Sequence, residues 1–258
     1  MKLSFVIPAY NEENYIGDCL DAIVAQKRAL EEQRRALPYD IEIIVVNNAS
    51  TDDTAAVVKK YAAKNPAVKL VNEPEKGLVR ARRAGFLAAT GDLIANVDAD
   101  TRLTPGWITT VFKEFENDPR LVALSGPFIY YDLSPLIRFF TKIHYSIGYM
   151  IYRVFRTGAM LQGGNFIVRR DALLAIGGYD TRIAFYGEDI DIARRMSKVG
   201  KVTFTFRLPM YASGRRLAAE GSLTTGFRYA INYFWITFFK KPFTKDYSDI
   251  RPQELPPR

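Results

Sequence analysis

Two aspartates separated by a single residue, Asp98 and Asp100, directly follow an apolar run over residues 93–97 that is typical of a buried strand. Alternate side chains of an extended segment lie on one side, so both carboxylates could bind the same hard divalent cation. Mg²⁺ usually takes one or two protein carboxylates and completes its shell with phosphate oxygens and water. Asp is also common in solvated turns. The position at a strand end, beside other acidic strand ends, favours a site for Mg²⁺ or Mn²⁺ and a phosphorylated ligand.

The elements that would position these carboxylates alternate between strand-like and helix-like runs. Short runs rich in Val, Ile and Leu predict four strands, at residues 3–7, 41–46, 68–71 and 93–97. Runs with helical spacing and good helix formers separate them, at residues 20–37, 52–64 and 78–89. Near-continuous apolar strands separated by helices are what a buried parallel sheet requires. The predicted fold class is therefore α/β, with a mostly parallel central sheet flanked by helices.

The carboxyl ends of the predicted strands share one edge of the sheet, which is where such sheets bind ligands. Acidic side chains occur in the segments that follow the strands, at residues 8–13, 47–53, 73–77 and 98–100. Neither the GxxxxGKS/T pattern nor the GxGxxG pattern occurs in the chain. An ordinary P-loop or dinucleotide-binding domain is therefore disfavoured.

Composition narrows the class of protein further. The 258 residues, 48% hydrophobic and 25% charged, have the profile of a globular protein with a sizeable core. The single cysteine, Cys19, cannot form an intramolecular disulfide, and the single histidine, His144, nearly excludes a His-rich zinc site. The N-terminal apolar run ends at Pro8, which is too short for a signal peptide. We therefore expect a cytoplasmic protein.

The positive charge of the chain is confined to its second half. The net charge is +8; residues 1–129 carry 16 basic and 18 acidic side chains, and residues 130–258 carry 20 and 10. Such asymmetry indicates an anionic partner in the second half, either nucleic acid, a phosphorylated ligand or a lipid surface. No nucleic-acid recognition motif accompanies the charge, so we expect no nucleic-acid partner.

Six sequence blocks follow one another in a fixed order. The first three are VIPAYNEE from Val6, VVNNASTDDT from Val45 and KGLVRARRAG from Lys76. The DAD triplet comes next, followed by GGNFIVRRDALLAIGGYD from Gly163 and GEDIDIARR from Gly187. Taken together, the blocks resemble the family 2 glycosyltransferases over about residues 3–216. The resemblance implies a GT-A fold, a nucleotide-sugar donor, a divalent metal and inversion at the anomeric carbon.

The resemblance also implies roles for individual residues. Its donor-binding positions correspond to Pro8, Tyr10, Glu12, Asn48, Gly77, Arg82, Asp98 and Ala99. The metal ligand corresponds to Asp100, with Asp98 as its neighbour, and the general base corresponds to Asp189, with Glu188 beside it. Apart from the resemblance, we place Gly164, Asn165, Arg215 and Arg216 on the acceptor side. Arg215 and Arg216 could instead close over the donor diphosphate, or lie exposed at the surface.

The chemistry of an inverting transfer agrees with these roles. Such a transfer needs one base, which removes the proton of the acceptor hydroxyl as its oxygen attacks opposite the leaving group. Positive charge on the departing diphosphate would come from the metal and from Arg82. The alternative for Glu188 and Asp189 is that they only complement the positive N-terminus of a helix.

The VNNAS segment bears on the choice of nucleotide. Relatives often carry VDDGS there, whereas Asn47 and Asn48 are neutral. An Asn amide can accept from N3–H of uracil or thymine and donate to O4, whereas a carboxylate accepts better from the two adjacent donors of guanine. This favours a UDP- or dTDP-sugar over a GDP-sugar. Alternatively, the amide only orders the turn.

Two glycine pairs are expected to differ in role. Gly163 and Gly164 could let the backbone approach the donor or acceptor closely. Gly177 and Gly178 follow a helical run and have the position of a helix stop.

A basic, aromatic region follows the catalytic blocks of the first half. No acidic residue occurs from Leu133 to Arg170. At 100° per residue, an apolar stripe falls on one side of a predicted helix: Leu136, Phe140, Ile143, Ile147, Met150 and Val154. Its opposite side carries Arg138, Lys142, Arg153 and Arg156. Either the stripe packs on the domain, or the helix lies at an anionic membrane surface near a lipid-linked acceptor.

The C-terminal segment, residues 217–258, has a similar character. Residues 226–243 contain eight aromatic side chains together with Arg228, Lys240 and Lys241, as in an interfacial anchor. We predict amphipathic helix and peripheral membrane association for this segment, with a homodimer interface as the alternative. The preceding GT-A domain would span residues 1–216, with a nucleotide-binding half at 1–100 and an acceptor-side half at 101–216.

The sequence thus predicts a metal-dependent inverting glycosyltransferase at the inner face of the membrane, with a lipid-linked or polysaccharide acceptor. A nucleotidyltransferase on the same core would need a Gly-rich loop bearing Arg or Lys at the first strand end, where this chain has PAYNEE. A non-catalytic nucleotide-sugar-binding protein is disfavoured because Asp98, Asp100 and Asp189 are all present.

Overall fold

A computed structural model describes residues 1–33, 39–155, 160–183 and 187–221, together with residues 224–226, 228, 231–232, 235 and 243–244. The strands are β1 (Lys2–Ala9), β2 (Asp40–Asn47), β3 (Val68–Asn72), β4 (Leu93–Val97), β5 (Thr101–Leu103), β6 (Leu121–Ser125), β7 (Phe128–Tyr130), β8 (Asn165–Arg169), β9 (Lys201–Phe204) and β10 (Met210–Ala212). The helices are α1 (Ile16–Gln33), α2 (Thr54–Lys64), α3 (Leu78–Ala88), α4 (Trp107–Asn117), α5 (Pro135–Phe155), α6 (Arg170–Ala175), α7 (Glu188–Met196) and α8 (Arg215–Glu220).

Seven strands form the central sheet, in the order β3-β2-β1-β4-β8-β6-β9. β8 runs antiparallel to β4 and β6, and the other neighbours pair in parallel. Because β8 is reversed, its first residue, Asn165, pairs with the last residue of β4, Val97. The start of β8 therefore lies at the same sheet edge as the ends of the parallel strands.

Helices cover both faces of the sheet because successive strand residues point to opposite sides. In β1, Phe5 and Ile7 belong to a core shared with α1, α2 and α4, whereas Val6 belongs to a core shared with α3, α6 and α7. The strands are apolar on both faces, as the near-continuous hydrophobic runs require. The predicted α/β class with a mostly parallel, helix-flanked sheet is confirmed.

The predicted element bounds agree closely with the structure over the first half. The first four strands lie within two residues of the predicted limits, but α1 begins at Ile16, four residues before the predicted start. The N–H groups of Tyr15 and Ile16 both donate to the carbonyl of Glu12, which starts the helix early. The last residues of the predicted helix 20–37 lie outside the described residues.

A buried carboxylate, Glu42 of β2, ties the strands together at the amino-terminal side of the sheet. It accepts hydrogen bonds from the Ser4 hydroxyl (2.6 Å), the Thr90 N–H (2.7 Å) and the Thr90 hydroxyl (2.8 Å), and Lys69 Nζ lies 3.1 Å away. Burial alone would raise the pKa of Glu42, but these hydrogen bonds lower it to about 2.

A second sheet, in the order β5-β10-β7, lies directly after the Asp98–Asp100 segment in the chain. β10 pairs antiparallel with β5 and parallel with β7, and the N–H of Ser213 donates to the carbonyl of Asp100. This small sheet carries the start of α8 to the ligand-binding edge. No helix among the described residues is both long and apolar enough to cross a membrane.

Most of the predicted C-terminal segment lies outside the described residues, including Lys240 and Lys241. Within its described part, the Asn232 side chain accepts from the N–H groups of Phe243 and Thr244, and Arg228 pairs with Glu220 at 2.8 Å. The predicted domain limits at residues 100 and 216 stay predictions.

Candidate active site

Asp98 and Asp100 lie in a tight turn at the end of β4. The N–H and the hydroxyl of Thr101 both donate to the carbonyl of Asp98, at 3.2 and 2.7 Å, and Ala99 is buried. The extended conformation predicted for this triplet is therefore wrong, because the chain reverses at once to begin β5. The side chains nevertheless remain at the ligand-binding edge, where each carboxylate meets an arginine.

Arg82 of α3 joins the turn to the N-terminus of α7. Its guanidinium is almost completely buried, with Nη2 at 3.1 Å from Asp98 Oδ1 and Nε at 3.3 Å from Glu188 Oε1. A buried cation needs such partners, because an uncompensated charge would be costly there. Arg82 thus connects the Asp98 turn to Glu188 at the start of α7; its predicted role near the diphosphate stays a prediction.

Gly163 and Gly164, just before β8, separate the Asp98 turn from Asp189. Gly164 has φ +78°, and a Cβ atom built on it would lie 2.1 Å from Asp98 Oδ2. The Gly163 N–H donates to Asp189 Oδ2 at 3.0 Å. No larger residue fits position 164, because the backbone there lies against the Asp98 side chain; the predicted approach to donor or acceptor stays a prediction. Its two contacts place Asp98 and Asp189 on the same sheet edge.

Glu188 and Asp189 form the first turn of α7, after Gly187 with φ +86°. Burial raises the pKa of Glu188 to about 8, Arg82 opposes the rise, and neighbouring carboxylates including Asp189 add to it. Burial also raises the pKa of Asp189, although the N–H groups of Gly163 and Ile190 donate to its carboxylate and oppose the rise. Asp189 is only partly buried, so it is the member of the pair that solvent or a substrate can reach.

Hydrogen bonds connect the loop after β1 to the loop after β2. Asn11 and Thr51 exchange hydrogen bonds, and the N–H of Glu12 donates to the Thr54 hydroxyl at 2.8 Å. Pro8 and Tyr10 are half-buried on this edge, and Lys76 Nζ lies 3.8 Å from the centre of the Tyr10 ring. A partly open aromatic ring beside a lysine is suited to a nucleotide base and an anionic group.

Asn48 is buried and directs its amide into the loop before α3. Its Nδ2 donates to the carbonyls of Glu73 and Glu75, at 3.2 and 2.7 Å, and its Oδ1 accepts from the Gly77 N–H at 2.7 Å. These are the contacts of a residue that orders a turn, which was the alternative to direct base reading. Gly77 acts in the same contact, as the residue before α3.

Arg215 brings α8 to the acidic edge. Its Nη2 lies 2.6 Å from Glu12 Oε1, its Nε lies 2.9 Å from Asp100 Oδ2, and its guanidinium stacks over the Tyr15 ring at 4.5 Å. Arg216 points elsewhere and pairs with Glu220 at 2.9 Å. The two adjacent arginines, predicted as one acceptor-side pair, therefore have different surroundings.

Asn165 is not available to an acceptor. Its side chain is fully buried, accepts from Trp107 Nε1 at 3.2 Å, and donates to the carbonyls of Gly126 and Leu208 at 3.0 Å each. The predicted acceptor-side position of Asn165 is corrected to a structural one, since this amide joins β8 to the loops before β7 and β10. Gly177 and Gly178 end α6, as predicted, by donating to the carbonyls of Leu174 and Leu173.

The donor set at this edge fits a hard divalent cation. Asp98 and Asp100 lie in one turn, and their carboxylates face Arg82 and Arg215. Among the described residues no group of three His, Cys, Asp or Glu forms a complete metal cage. Mg²⁺ does not require one, because phosphate oxygens and water complete its shell. Asp98 and Asp100 are therefore the residues that could hold it.

Several of these contacts were not evident in the sequence. The Arg82–Glu188 pair and the Arg215 contacts join residues that are 106 or more positions apart. The stretch without acidic residues gave a signal for α5, but nothing indicated that the hydroxyl of its Tyr145 donates to Gln162, directly before Gly163.

Comparison with known proteins identifies the family. Residues 4–177 match the sequence profile of Glycosyl transferase family 2. The match covers more than half of the chain, so the chain belongs to glycosyl transferase family 2, and the predicted family is confirmed.

Individual relatives are similar over limited regions. A dolichyl-phosphate beta-glucosyltransferase of Trichomonas vaginalis is 45% identical over 100 residues, which are 38% of this chain and 28% of that protein. A glucosyl-dolichyl phosphate glucuronosyltransferase of Haloferax volcanii is 26% identical over 197 residues, 73% of this chain and 59% of that protein. This chain spans less than two thirds of the length of either relative.

A solved structure supports the fold. The mannosyltransferase PcManGT from Pyrobaculum calidifontis, in complex with GDP-Man and Mn²⁺, matches with a TM-score of 0.68 and 22% identity. The match covers 92% of this chain and 63% of that chain. At this identity the likeness shows the fold, and the predicted GT-A architecture is confirmed.

Proposed function

We propose that this protein transfers a sugar, with inversion, from a nucleotide sugar to a hydroxyl group of an acceptor, with the help of Mg²⁺ or Mn²⁺. The observation that carries the proposal is the Gly163–Gly164 pair. One of its residues donates to Asp189, and the other lies against the Asp98 carboxylate. The candidate base and the Asp98 carboxylate thus contact neighbouring residues of one glycine pair.

Asp98, Asp100 and Arg82 are assigned to the diphosphate end of the donor. The two carboxylates would hold the divalent cation, which when bound neutralises the charge that collects on the departing diphosphate. Arg82 is buried and oriented by Asp98 and Glu188, so its position is set before the donor arrives. Tyr10, with Lys76 over its ring, is assigned to the nucleoside end.

Asp189 is assigned as the general base. As the acceptor oxygen bonds to the anomeric carbon, the bond from that carbon to the diphosphate oxygen breaks and the hydroxyl proton moves to the Asp189 carboxylate. The N–H groups of Gly163 and Ile190 fix the orientation of this carboxylate, at 3.0 and 2.9 Å. Glu188 faces Arg82 and is assigned to orienting it, not to proton transfer.

The nucleotide preference stays a prediction. A UDP- or dTDP-sugar is favoured by the neutral Asn47–Asn48 pair, but the Asn48 amide is bonded to the loop. We therefore expect any preference to act through the backbone that Asn48 orders. Calorimetric titration with UDP, dTDP and GDP tests it, and tighter binding of GDP than of both pyrimidine nucleotides would overturn it.

The acceptor stays either a lipid-linked glycan or a polysaccharide, and the two relatives described above support the first. Both relatives described above are named for reactions that involve a dolichyl phosphate. Association with an anionic membrane surface, a cytoplasmic location and the homodimer alternative stay predictions.

The decisive experiment is a screen of nucleotide sugars for slow, metal-dependent donor hydrolysis, because hydrolysis requires no knowledge of the acceptor. We expect release of nucleoside diphosphate with Mg²⁺ or Mn²⁺ and its loss with a chelator. Asp100→Ala should weaken metal-dependent donor binding. Asp18→Ala is the matched control, since Asp18 is an exposed α1 carboxylate that also pairs with an arginine, Arg102. Binding of nucleotide sugars without any turnover would instead indicate a non-catalytic binding protein.

A further inference from the structure

Helix α5 exposes its apolar side. The side chains of Leu136, Phe139, Phe140, Ile143, Ile147 and Met150 are between 39% and 65% exposed. At 100° per residue these six positions fall within about 100° of arc, so they form one continuous stripe. A helix of an isolated globular protein normally turns such a stripe inward.

The inner side of α5 is instead formed by tyrosines. Tyr145 is 7% exposed and stacks on Phe204 of β9, with ring centroids 6.1 Å apart, and Tyr149 contacts Phe206 at 5.4 Å. The expectation that the apolar stripe packs on the domain is therefore wrong for the described residues. The predicted stripe member Val154 lies outside the described side chains, as do Arg153 and Arg156.

The exposed stripe is accompanied by positive charge. Arg138 and Lys142 are exposed on α5, and no acidic residue occurs from Leu133 to Arg170. Within the described part of the chain, neither cation forms an ion pair. Arg138 and Lys142 lie on the side of α5 away from the stripe. A helix with apolar residues on one side and Lys and Arg on the other has the pattern of helices that lie on anionic membranes.

The same helix is linked to the candidate base. The Tyr145 hydroxyl donates to Gln162 Oε1 at 2.8 Å, and the next residue, Gly163, donates its N–H to Asp189. The inner side of α5 is therefore connected, through Gln162, to the backbone that orients Asp189.

We propose that the apolar stripe of α5 is the surface on which this protein lies on an anionic membrane. The apolar side chains enter the boundary between headgroups and acyl chains, and Arg138 and Lys142, on the other side of the helix, add attraction to the anionic surface. The proposal rests on the proposed function only for the lipid-linked acceptor. Membrane binding itself is measured without donor or acceptor.

Vesicle flotation tests the proposal. We expect the full chain to float with vesicles of phosphatidylcholine containing about one third phosphatidylglycerol, and less with phosphatidylcholine alone. The double variant Phe140→Ser/Ile147→Ser should reduce the bound fraction about tenfold or more. The matched control is Leu87→Ser/Leu174→Ser, which removes two exposed leucines from α3 and α6 and should bind like the wild type. Circular dichroism of all variants verifies folding.

Three outcomes would overturn the proposal. Wild-type protein that stays unbound on anionic vesicles removes the membrane as partner. Equal flotation of the stripe variant and the control places the binding surface elsewhere, for example in residues 222–258. A wild-type dimer that Phe140→Ser/Ile147→Ser makes monomeric, without vesicle binding, assigns the stripe to a second copy of the chain. Donor hydrolysis by the wild type is scored separately and decides only the proposed function.

Discussion

The loops that follow β1 and β2 are held by hydrogen bonds to each other, whereas the described side chains of α5 contact the rest of the chain through one face of the helix. On the donor side, Glu13 and Asp53 exchange further bonds of this kind, with the Asp53 N–H donating to Glu13 Oε2 at 2.9 Å. In α5, the rings of Tyr145 and Tyr149 contact those of Phe204 and Phe206. The difference separates a region whose geometry is complete within the chain from one whose apolar surface is left uncovered.

The two regions should differ in the free energy that reorganisation costs when a ligand binds. A nucleotide-sugar donor that binds to loops already ordered by hydrogen bonds between them loses little free energy to reorganisation. The outer side of α5 gains its stabilisation only when a partner covers it. Four changes on the donor side and at the junction between the two regions test this difference.

The largest effect is expected at the junction, for Asp189→Asn. The amide keeps the size of the side chain and can still accept from Gly163, but it cannot take the acceptor proton. Transfer should fall by about 10²- to 10⁴-fold, while calorimetry should show unchanged nucleotide binding. Asp171→Asn is the control, because Asp171 is an exposed carboxylate in the first turn of α6. Activity of Asp189→Asn within a few-fold of wild type would remove the base assignment.

Gly164→Ala should have the next largest effect. The new methyl group would overlap the Asp98 carboxylate in a backbone conformation that disfavours a side chain. We expect a loss of about 3 kcal/mol in the free energy of unfolding, together with weaker nucleotide binding. Gly177→Ala is the matched control, since Gly177 has φ +82° and no atom within 4 Å of a Cβ.

The control variant should lose about 1 kcal/mol of stability from backbone strain alone and keep its nucleotide affinity. Thermal unfolding and calorimetry measure both variants. If the two lose the same stability and bind nucleotide equally, the close contact between position 164 and Asp98 is unimportant.

Glu42→Gln tests how much the hydrogen bonds of Glu42, at the opposite edge of the sheet, contribute to the free energy of unfolding. The pKa of Glu42 is lowered from an ordinary 4.5 to about 2, so its carboxylate stabilises the fold above about pH 4.5. That stabilisation is lost as pH falls through about 2. At pH 7 the variant should be about 2 kcal/mol less stable. The difference should shrink between pH 5 and pH 2 in urea unfolding; a difference independent of pH would contradict the assignment.

The smallest effect is expected for Arg215, whose guanidinium lies beside the Asp100 carboxylate. Arg215→Gln removes the guanidinium between Glu12 and Asp100, so Mn²⁺ should bind about fivefold more tightly in the absence of donor. Electron paramagnetic resonance of free Mn²⁺ measures this directly. Arg216→Gln, which changes the neighbour paired with Glu220, should leave the affinity unchanged. Unchanged affinity in Arg215→Gln would show that Arg215 does not compete with the metal.

The first four strands could be predicted because each is a short run dominated by Val, Ile and Leu, which a buried parallel sheet requires. The reversed direction of β8 could not, because its hydrophobic pattern is the same in either direction. That reversal is what brings Gly163 and Gly164 to Asp98 and Asp189. The site residues were thus recognisable one by one, but the contacts between them were not.

Asn48 and α5 show most clearly what could not be predicted from the sequence. The sequence left two roles open for the Asn48 amide, and only the geometry of its three hydrogen bonds assigns it to the loop. For α5 the amphipathic pattern was evident, but the pattern is identical whether the stripe faces the core or solvent. Tertiary packing of the tyrosines decides the orientation.

Ser125, at the end of β6, holds together the two ends of the segment over residues 126–162. Its hydroxyl donates to the carbonyl of Asn165 and accepts the N–H of Gln162, at 2.7 and 2.8 Å. Residues 126–162 therefore leave the central sheet and return to it at this one hydroxyl, while β7 within them pairs with β10. If this segment serves the acceptor as proposed, exchanging it in an engineered chimaera should change the recipient of the sugar and leave nucleotide binding unchanged.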